Sequence, residues 1–445
     1  MAKVGLVSLG CPKNQVDSEI MAGLLAQTEL KVTDNYSQAE VLIVNTCGFI
    51  EDAKEESIDT ILQLANYKEE HCRVLIVTGC LAQRYPAELQ AEIPEIDGIL
   101  GTGNFDEIVE VIERGLAGES TFEVTAPEFE YNRILPRKRL EAGYSAYVKI
   151  AEGCNNRCSY CIIPDLRGRL HSRGLAEILK EVESLAAQGI KEINLVAQDI
   201  TRYGLDLYGE PRLIELLERL TEIEGIKWFR LLYAYPAHFS EELIELMASK
   251  ERICNYIDLP IQHADDRIRA RMDRQGSSQQ ILDLIERLRT EIPEMTIRTS
   301  LIVGFPGEGE QEFQNLLDFI KEAQFDRLGV FKYSREEGTA AAKMPNQVAA
   351  EVKEERYQRV MELQQEISLA RNQQWIGKEV NVLVEEVQQE EGQSLVIGRT
   401  ERDAPEIDGL IYINDLAAQV GDFIKAKIVD AYEYDLIGEV EYEFT

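Results

Sequence analysis

The sequence predicts an α/β protein in three parts: an N-terminal parallel sheet, a central open partial (β/α) barrel of about six strand–helix units, and a small C-terminal β-barrel. Three observations predict it. Short aliphatic runs recur at the length of a strand–helix unit, roughly 30 residues or a little more. A second series of such runs begins at Ser145. Beyond residue 376 the pattern changes to strand-like alternation punctuated by glycines.

In the first series, Val4–Ser8, Val41–Asn45 and Val74–Thr78 are short aliphatic runs of the kind buried on both faces of a parallel sheet. Between the second and third, Ile58, Ile61, Leu62 and Ala65 fall at i, i+3, i+4 and i+7, which predicts a helix with those four residues toward the core. In a fourth unit Ile99 and Leu100 precede GTGN, and a helix is expected near Asp106–Leu116. Residues 126–144 contain two prolines and the cluster Arg137-Lys138-Arg139, and read as a linker. In the second series the expected strands are Ser145–Ile150, Ile193–Ala197, Trp228–Tyr233, Tyr256–Leu259, Thr296–Val303 and Asp326–Tyr333. These six units are too few for a closed eight-stranded barrel, so an open one is expected. After Pro345, residues 346–375 read as a long amphipathic helix. Residues 377–445 alternate, as in Val380-Asn381-Val382, and carry glycines at 377, 392, 398, 409, 421 and 438, which suits a small β-barrel. The domains expected are therefore 1–130, 145–340 and 377–445, with helix 346–375 joining the last two.

Hydrophobic residues make up 44% and charged residues 29%, as in an ordinary globular chain. Lys and Arg number 47 against 80 Asp and Glu, a net charge of −33. Such a field repels nucleic acid and membrane phosphates and attracts basic partners, although acidity also serves plain solubility. The opening MAKVGLVSLG lacks the layout of a signal peptide, and no apolar run approaches the length that spans a bilayer. A cytoplasmic protein with no membrane partner is expected. Thiols stay reduced there, and patterned cysteines point to metal or catalysis.

Six of the eight cysteines fall into two triplets. Cys154, Cys158 and Cys161 share one loop, CNNRCSYC. Cys11, Cys47 and Cys80 each stand just beyond an aliphatic run. Parallel topology gathers those three at the carboxyl edge of a sheet, where α/β folds bind ligands. Three close thiolates without an obvious fourth ligand suit an iron–sulfur cube with one iron left open. A structural zinc site completed by His171 is the competing reading of the loop. A lone strand-end cysteine is more often a small buried hydrophobe, and that reading is kept for Cys72 and Cys254. Gln198, Asp199, Tyr235, Gln262, His263 and Tyr333 gather where the central strands end, the active-site edge of barrel folds.

The spacing CxxxCxxC with Tyr160 before the last cysteine resembles the radical S-adenosylmethionine signature. The resemblance implies a [4Fe–4S] cluster on Cys154, Cys158 and Cys161. Its open iron would chelate the amino and carboxylate groups of S-adenosylmethionine, and an electron would cleave the sulfonium to a 5′-deoxyadenosyl radical. It also implies a cofactor pocket shaped by Tyr160, Gln198 and GFPGE (Gly304–Glu308), with Ile162 and Ile163 near the adenine. Arg167, Arg169 and Arg173 follow the loop and could fork onto the cofactor carboxylate; surface ion pairing is the plainer reading for at least one of them. A GFPG turn by itself most often only makes a turn.

Over essentially the whole chain, an N-terminal α/β domain with three dispersed cysteines, a radical domain and a small C-terminal barrel resembles the methylthiotransferases. That resemblance implies a flavodoxin-like N-terminal sheet whose second [4Fe–4S] cluster, on Cys11, Cys47 and Cys80, carries the added sulfur. It also implies one S-adenosylmethionine for the radical, another for the methyl group, and a TRAM-like C-terminal barrel. SLGCPKNQVDSE (8–19), NTCGFIEDAKEESIDTI (45–61), AQDITRYGLDLYG (197–209), LPIQHA (259–264) and FKYSREEGTAA (331–341) resemble the RimO branch, which modifies the β-carbon of an aspartate in ribosomal protein S twelve. The transfer-RNA branch typically has GCQMN-like and GQN-like segments where GCPKN and AQD stand here. The implied partners are that basic ribosomal protein, a sulfur donor, and an electron donor such as flavodoxin or ferredoxin, with the enzyme itself a monomer. Residues 377–445 hold five Lys/Arg and seventeen Asp/Glu, which suits a basic protein better than RNA. A transfer-RNA adenosine methylthiotransferase and a non-catalytic, metal-bearing RNA-binding module are the alternatives.

Overall fold

In a computed structural model of the chain, residues 2–127, 135–140, 142–390, 393–414 and 416–440 are described. Part of the expected linker 126–144 and the end of the expected segment 377–445 lie outside them.

The N-terminal sheet is built from β1 (Lys3–Ser8), β2 (Lys31–Val32), β3 (Val41–Thr46), β4 (Val74–Gly79), β5 (Gly98–Leu100) and β6 (Thr121–Glu123). Its order is β2-β1-β3-β4-β5-β6, and every pairing is parallel. The first five strands follow the flavodoxin-like order. Helices α1 (Pro12–Leu25), α2 (Glu51–Ala65), α3 (Cys80–Arg84), α4 (Pro86–Glu92) and α5 (Ile108–Leu116) cover both faces. Central strands β3 and β4 are therefore buried throughout.

One expected face is corrected. On α2 the buried residues are Ser57, Ile61, Leu64 and Ala65, whereas Ile58 and Leu62 are 38% and 47% exposed. Ser57 sets the rotation. Its hydroxyl accepts from the Cys47 amide at 3.0 Å and donates to the Cys47 carbonyl at 2.9 Å, so that face of the helix turns inward. The two-residue β2 and three-residue β6 lack aliphatic runs and escape a reading by periodicity.

The central sheet runs β7 (Ser145–Lys149), then β10 (Glu192–Val196), β11 (Trp228–Leu231), β12 (Ile253–Asp258), β13 (Thr296–Val303) and β14 (Arg327–Lys332), all parallel and open at both ends. Between β7 and β10, the short strands β8 (Ala151–Glu152) and β9 (His171–Ser172) pair antiparallel and close the neck of the cysteine loop. Helix α6 (Ile163–Arg167) lies inside that loop. Helices α7 (Leu175–Ala187), α8 (Leu205–Tyr208), α9 (Leu213–Leu220), α10 (Glu241–Ser249), α11 (Asp266–Arg271), α12 (Ser278–Glu291) and α13 (Glu310–Ala323) connect the strands, and the longer ones pack an aliphatic layer on the outer face. Helix α14 (Ala350–Gln373) follows and packs on α13 and β14.

The C-terminal strands β15 (Glu379–Glu390), β16 (Gln393–Thr400), β17 (Ile411–Asn414), β18 (Phe423–Ala431) and β19 (Leu436–Glu439) close into a barrel in the order β15-β16-β17-β19-β18. The end of β16 and the loop after it enter the concave side of the open central sheet. Arg399 pairs with Glu192 at 2.5 Å, Asp403 with Arg327 at 2.6 Å, and Asp408 accepts from the Tyr256 hydroxyl at 2.6 Å. That side of the open barrel is thus filled by ion pairs from the C-terminal barrel, and the carboxyl edge is left for a site. Among the described residues no helix is long and apolar enough to cross a membrane.

Candidate functional site

Each N-terminal cysteine stands at the carboxyl end of a strand. Cys11 caps α1 three residues beyond β1, Cys47 follows β3, and Cys80 opens α3 after β4. Glycines let these ends approach. Gly10 has φ +87°, and a Cβ there would come within 2.8 Å of Cys47 Cβ; Gly79, at φ +93°, leaves room for the Asn45 side chain. Asn14 ties the strand ends together by donating to the carbonyls of Leu9 and Thr46, each at 2.9 Å. Burial, then the nearby Cys80 and Cys11, push the Cys47 thiol up to about 12. Burial also raises Cys80, opposed by Arg167, whose Nε donates to its sulfur at 3.4 Å.

The second trio sits in the loop framed by β8 and β9. Backbone amides of Asn156 and Ile163 donate to the sulfurs of Cys154 and Cys161, both at 3.4 Å, and Arg274 lies 3.8 Å from the sulfur of Cys158. Burial raises Cys154 to about 11 and Cys161 to about 12, and Cys161 feels both other thiols. Buried thiols of this kind stay protonated at neutral pH until a metal displaces the proton. The loop is pinned from outside. Ser159 donates from its amide to Met272 and from its hydroxyl to Arg271, and its carbonyl accepts from Ala341 at 2.8 Å. Asp199 anchors it from just beyond β10, accepting from Asn156 at 2.9 Å and lying 3.1 Å from His238 Nδ1.

The two trios face one joint. Ile162, next to Cys161, packs with Cys80, Leu166 and Phe49. Arg167, five residues further, pairs with Asp17 at 2.7 Å and Glu152 at 3.0 Å and donates to Asn14 as well as to Cys80. Lys149 completes a buried knot, 2.5 Å from Asp17 and 2.6 Å from Glu152. Burial works against the Glu152 carboxylate, but Arg167 and Lys149 override it and hold the group at about 2.

Several expected pocket residues have other duties. Arg167 and Arg173 are committed to protein carboxylates, Arg173 pairing with Glu181 at 2.6 Å, because burial without a counter-charge would be costly. Arg169 is exposed. Ile162 reaches Cys80 and so serves the joint between the trios. Glu308 turns inward: it accepts from the amides of Gly304 (2.8 Å) and Phe305 (3.2 Å) and pairs with Arg356 at 2.9 Å. It therefore holds the GFPGE turn, in which Gly304 has φ +73°. Tyr160 is packed beside the cluster of Phe305 and Tyr333. Gln198 donates to Glu152 at 2.5 Å, while its Oε1 is buried with no partner among the described residues. His263 and Tyr333 are buried, and Tyr235 stacks under Arg274 at 3.9 Å; these three build walls. Cys72 and Cys254 are buried away from both trios, Cys72 donating to the Val74 carbonyl. Periodicity gave no sign of Asn14, Asp17, Glu152 or Arg274, each of which has a partner distant in sequence.

The donor sets suit iron–sulfur cubes. Among the described residues no three His, Cys, Asp or Glu side chains converge closely enough to hold a single metal ion. A cube spreads its three thiolates over three irons, so trios of wider spacing accept it. His171 lies on β9 opposite Glu152, and among the described residues no closed zinc set of four ligands forms around the loop.

Comparison with known proteins covers all three parts. Residues 3–101 match the family model described as Uncharacterized protein family UPF0004, residues 148–320 the Radical SAM superfamily, and residues 376–440 the TRAM domain. The chain is 55% identical over 443 residues to the ribosomal protein uS12 methylthiotransferase RimO of Desulforamulus reducens, across 99% of this chain and 100% of that one. The RimO of Pelotomaculum thermopropionicum is 53% identical (98% and 99% covered), and that of Geobacter sulfurreducens 52% (98% and 98%). The chain belongs to the RimO family of methylthiotransferases. Solved structures with this fold are more distant. The radical S-adenosylmethionine methyltransferase TsrM of Kitasatospora setae superposes with a TM-score of 0.57 at 16% identity, over 76% of this chain and 77% of that one. The cobalamin-dependent radical enzyme OxsB gives 0.50 at 12%, over 82% and 56%. At such identity these show the fold alone.

Proposed function

We propose that this RimO family member adds a methylthio group to the β-carbon of an aspartate in ribosomal protein S twelve. The observation that carries this reading is the adjacency of the trios. Ile162 and Arg167, from the segment that opens with Cys161, both reach Cys80. Such a joint would place groups held by the two trios within reach of one substrate.

In this reading Cys154, Cys158 and Cys161 hold the radical-generating cluster, and Cys11, Cys47 and Cys80 the auxiliary one. Bound there with S-adenosylmethionine, the clusters supply reductive cleavage to a carbon-centred radical and a source of sulfur. The chain's own residues position and exclude water. The amides of Asn156 and Ile163 and the guanidinium of Arg274 polarise the first trio's sulfurs, and Arg167 does so for Cys80. Tyr160, Gln198 and the Gly304 turn shape the cofactor pocket, with Glu308 holding that turn from behind. The free Oε1 of Gln198 is an acceptor suited to a cofactor ammonium.

Charge supports a basic protein as substrate. Of the five basic residues in 377–445, Arg399 and Arg402 are buried against the rest of the chain, which leaves the outer face of the barrel more acidic still. An RNA-binding face would need the reverse. The reading extends to a monomeric cytoplasmic enzyme served by a separate sulfur donor and an electron donor such as flavodoxin or ferredoxin.

The test is direct. Anaerobically reconstituted enzyme is incubated with S-adenosylmethionine and either ribosomal protein S twelve or transfer RNA. Mass spectrometry should find the methylthio group on the protein alone. Modification of RNA alone would overturn the substrate, and no 5′-deoxyadenosine with either would overturn the chemistry.

A further inference from the structure

Of the two buried lysines among the described residues, Lys149 has two carboxylates and Lys13 has none. Lys13 is only 7% exposed. Its side chain leaves the first turn of α1, two residues beyond Cys11, and crosses to the carboxyl edge of the central sheet. There the ammonium lies 3.7 Å over the ring of Tyr233 and 3.5 Å from the carbonyl of Ala197. An ammonium has three donors, and a carbonyl at 3.5 Å is the outer limit of one hydrogen bond. A desolvated cation with so weak an acceptor is stabilised by an anion brought beside it. The positions around it are telling. Ala197 precedes Gln198, whose Oε1 is also unpartnered, and Asp199, which anchors the cysteine loop. Tyr233 is held at φ +65°, a strained conformation for a bulky residue, of the kind that accumulates at ligand sites. Lys13 thus reaches from the N-terminal trio to the strand end that supports the other trio.

We propose that Lys13 binds the side-chain carboxylate of the substrate aspartate and so sets the choice of substrate. This deepens the proposed function and rests on it. The β-carbon of aspartate is bonded to that carboxylate, so gripping the carboxylate fixes the reacting C–H to within one bond. The ring of Tyr233 keeps the ammonium in place without neutralising it. An adenine base, the alternative substrate, brings no carboxylate.

The test uses reconstituted holoenzyme as wild type, Lys13→Met and Lys13→Arg. The probes are ribosomal protein S twelve with its target aspartate and with that aspartate changed to asparagine. Binding is read by fluorescence anisotropy, turnover by the KM and kcat of methylthiolation, and cluster integrity by iron content and electron paramagnetic resonance. Wild type should prefer the aspartate protein. Lys13→Met should raise its Kd and KM about ten- to a hundred-fold, the worth of a hydrogen bond to a charged group, and should lose the preference over asparagine. Lys13→Arg should restore most of both. A Lys13→Met enzyme that keeps the aspartate preference overturns the assignment. So does an unchanged preference accompanied by altered resonance spectra or lost iron, which would make Lys13 a counter-ion of the N-terminal trio. If wild-type enzyme modifies neither protein, the substrate reading itself falls, and this assignment falls with it.

Discussion

Arg167→Met tests whether the buried knot couples the two trios. The guanidinium pairs with Asp17 at 2.7 Å and Glu152 at 3.0 Å and donates to Cys80 at 3.4 Å. Two routes give the size of its effect. Removing one partner of a buried pair costs about 3–5 kcal/mol, and the lower end applies because Lys149 still faces both carboxylates. Independently, Glu152 is held at about 2 against an ordinary 4.5, a depression worth about 3 kcal/mol that Arg167 shares with Lys149. With an unfolding entropy of about 2.1 cal/mol/K per residue, a loss of about 3 kcal/mol lowers Tm by roughly 3 °C if the whole chain melts together, and by more if its parts melt separately. The pH dependence has a definite sign. A depressed carboxyl stabilises the fold above its unfolded value and loses that contribution as pH falls through its folded value. The gap between wild type and variant should therefore be full at pH 7 and close between pH 4.5 and about 2. Anaerobic calorimetry at pH 7 and an acid titration followed by fluorescence measure both. A variant that melts within about 1 °C of wild type, on the same acid limb, would show that the knot does not join the two parts of the chain.

The trios should divide their labour. Cys154→Ala should abolish 5′-deoxyadenosine formation, whereas Cys47→Ala should lose the methylthio product while cleavage persists; each should lose about half of roughly eight irons, and equal loss of cleavage in both would refute the division. Glu308→Gln should cost about 3 kcal/mol by stranding Arg356, and should raise the KM for S-adenosylmethionine more than it lowers kcat, because it loosens a turn and removes no reacting group. On α2, Ile61→Ala should cost about 2–5 kcal/mol, whereas the exposed Ile58→Glu should change stability by no more than about 0.5 kcal/mol. Equal costs in a denaturant titration would restore the face that periodicity suggests.

The sheets, their parallel sense and the gathering of cysteines were legible in the sequence because each follows from local pattern plus topology. An aliphatic run of five or six residues followed by a helix has one common home, the inside of an α/β sheet, and a cysteine placed just after it must arrive at the carboxyl edge. The rotation of α2 was not legible, because it is set by a serine bonding to Cys47 and not by the apolar stripe. The arginines were the least legible. Arg137, in a stretch that reads as linker, is a buried bridge between Glu19 and Glu181, and Arg167 is bound to Asp17 from 150 residues earlier. A charged residue looks alike in sequence whether it is solvated or spent on a distant partner, and only packing tells the two apart. The same reasoning makes Lys13 informative. Lys149, Arg167 and Arg173, buried near the joint, each face a carboxylate from Asp17, Glu152 or Glu181, whereas Arg269 is buried against carbonyls alone. Lys13 is buried beside a cysteine trio with no carboxylate against it, and an aspartyl substrate carries one bonded to the reacting carbon; the iron content and resonance spectra of Lys13→Met separate that role from a counter-ion role toward the trio.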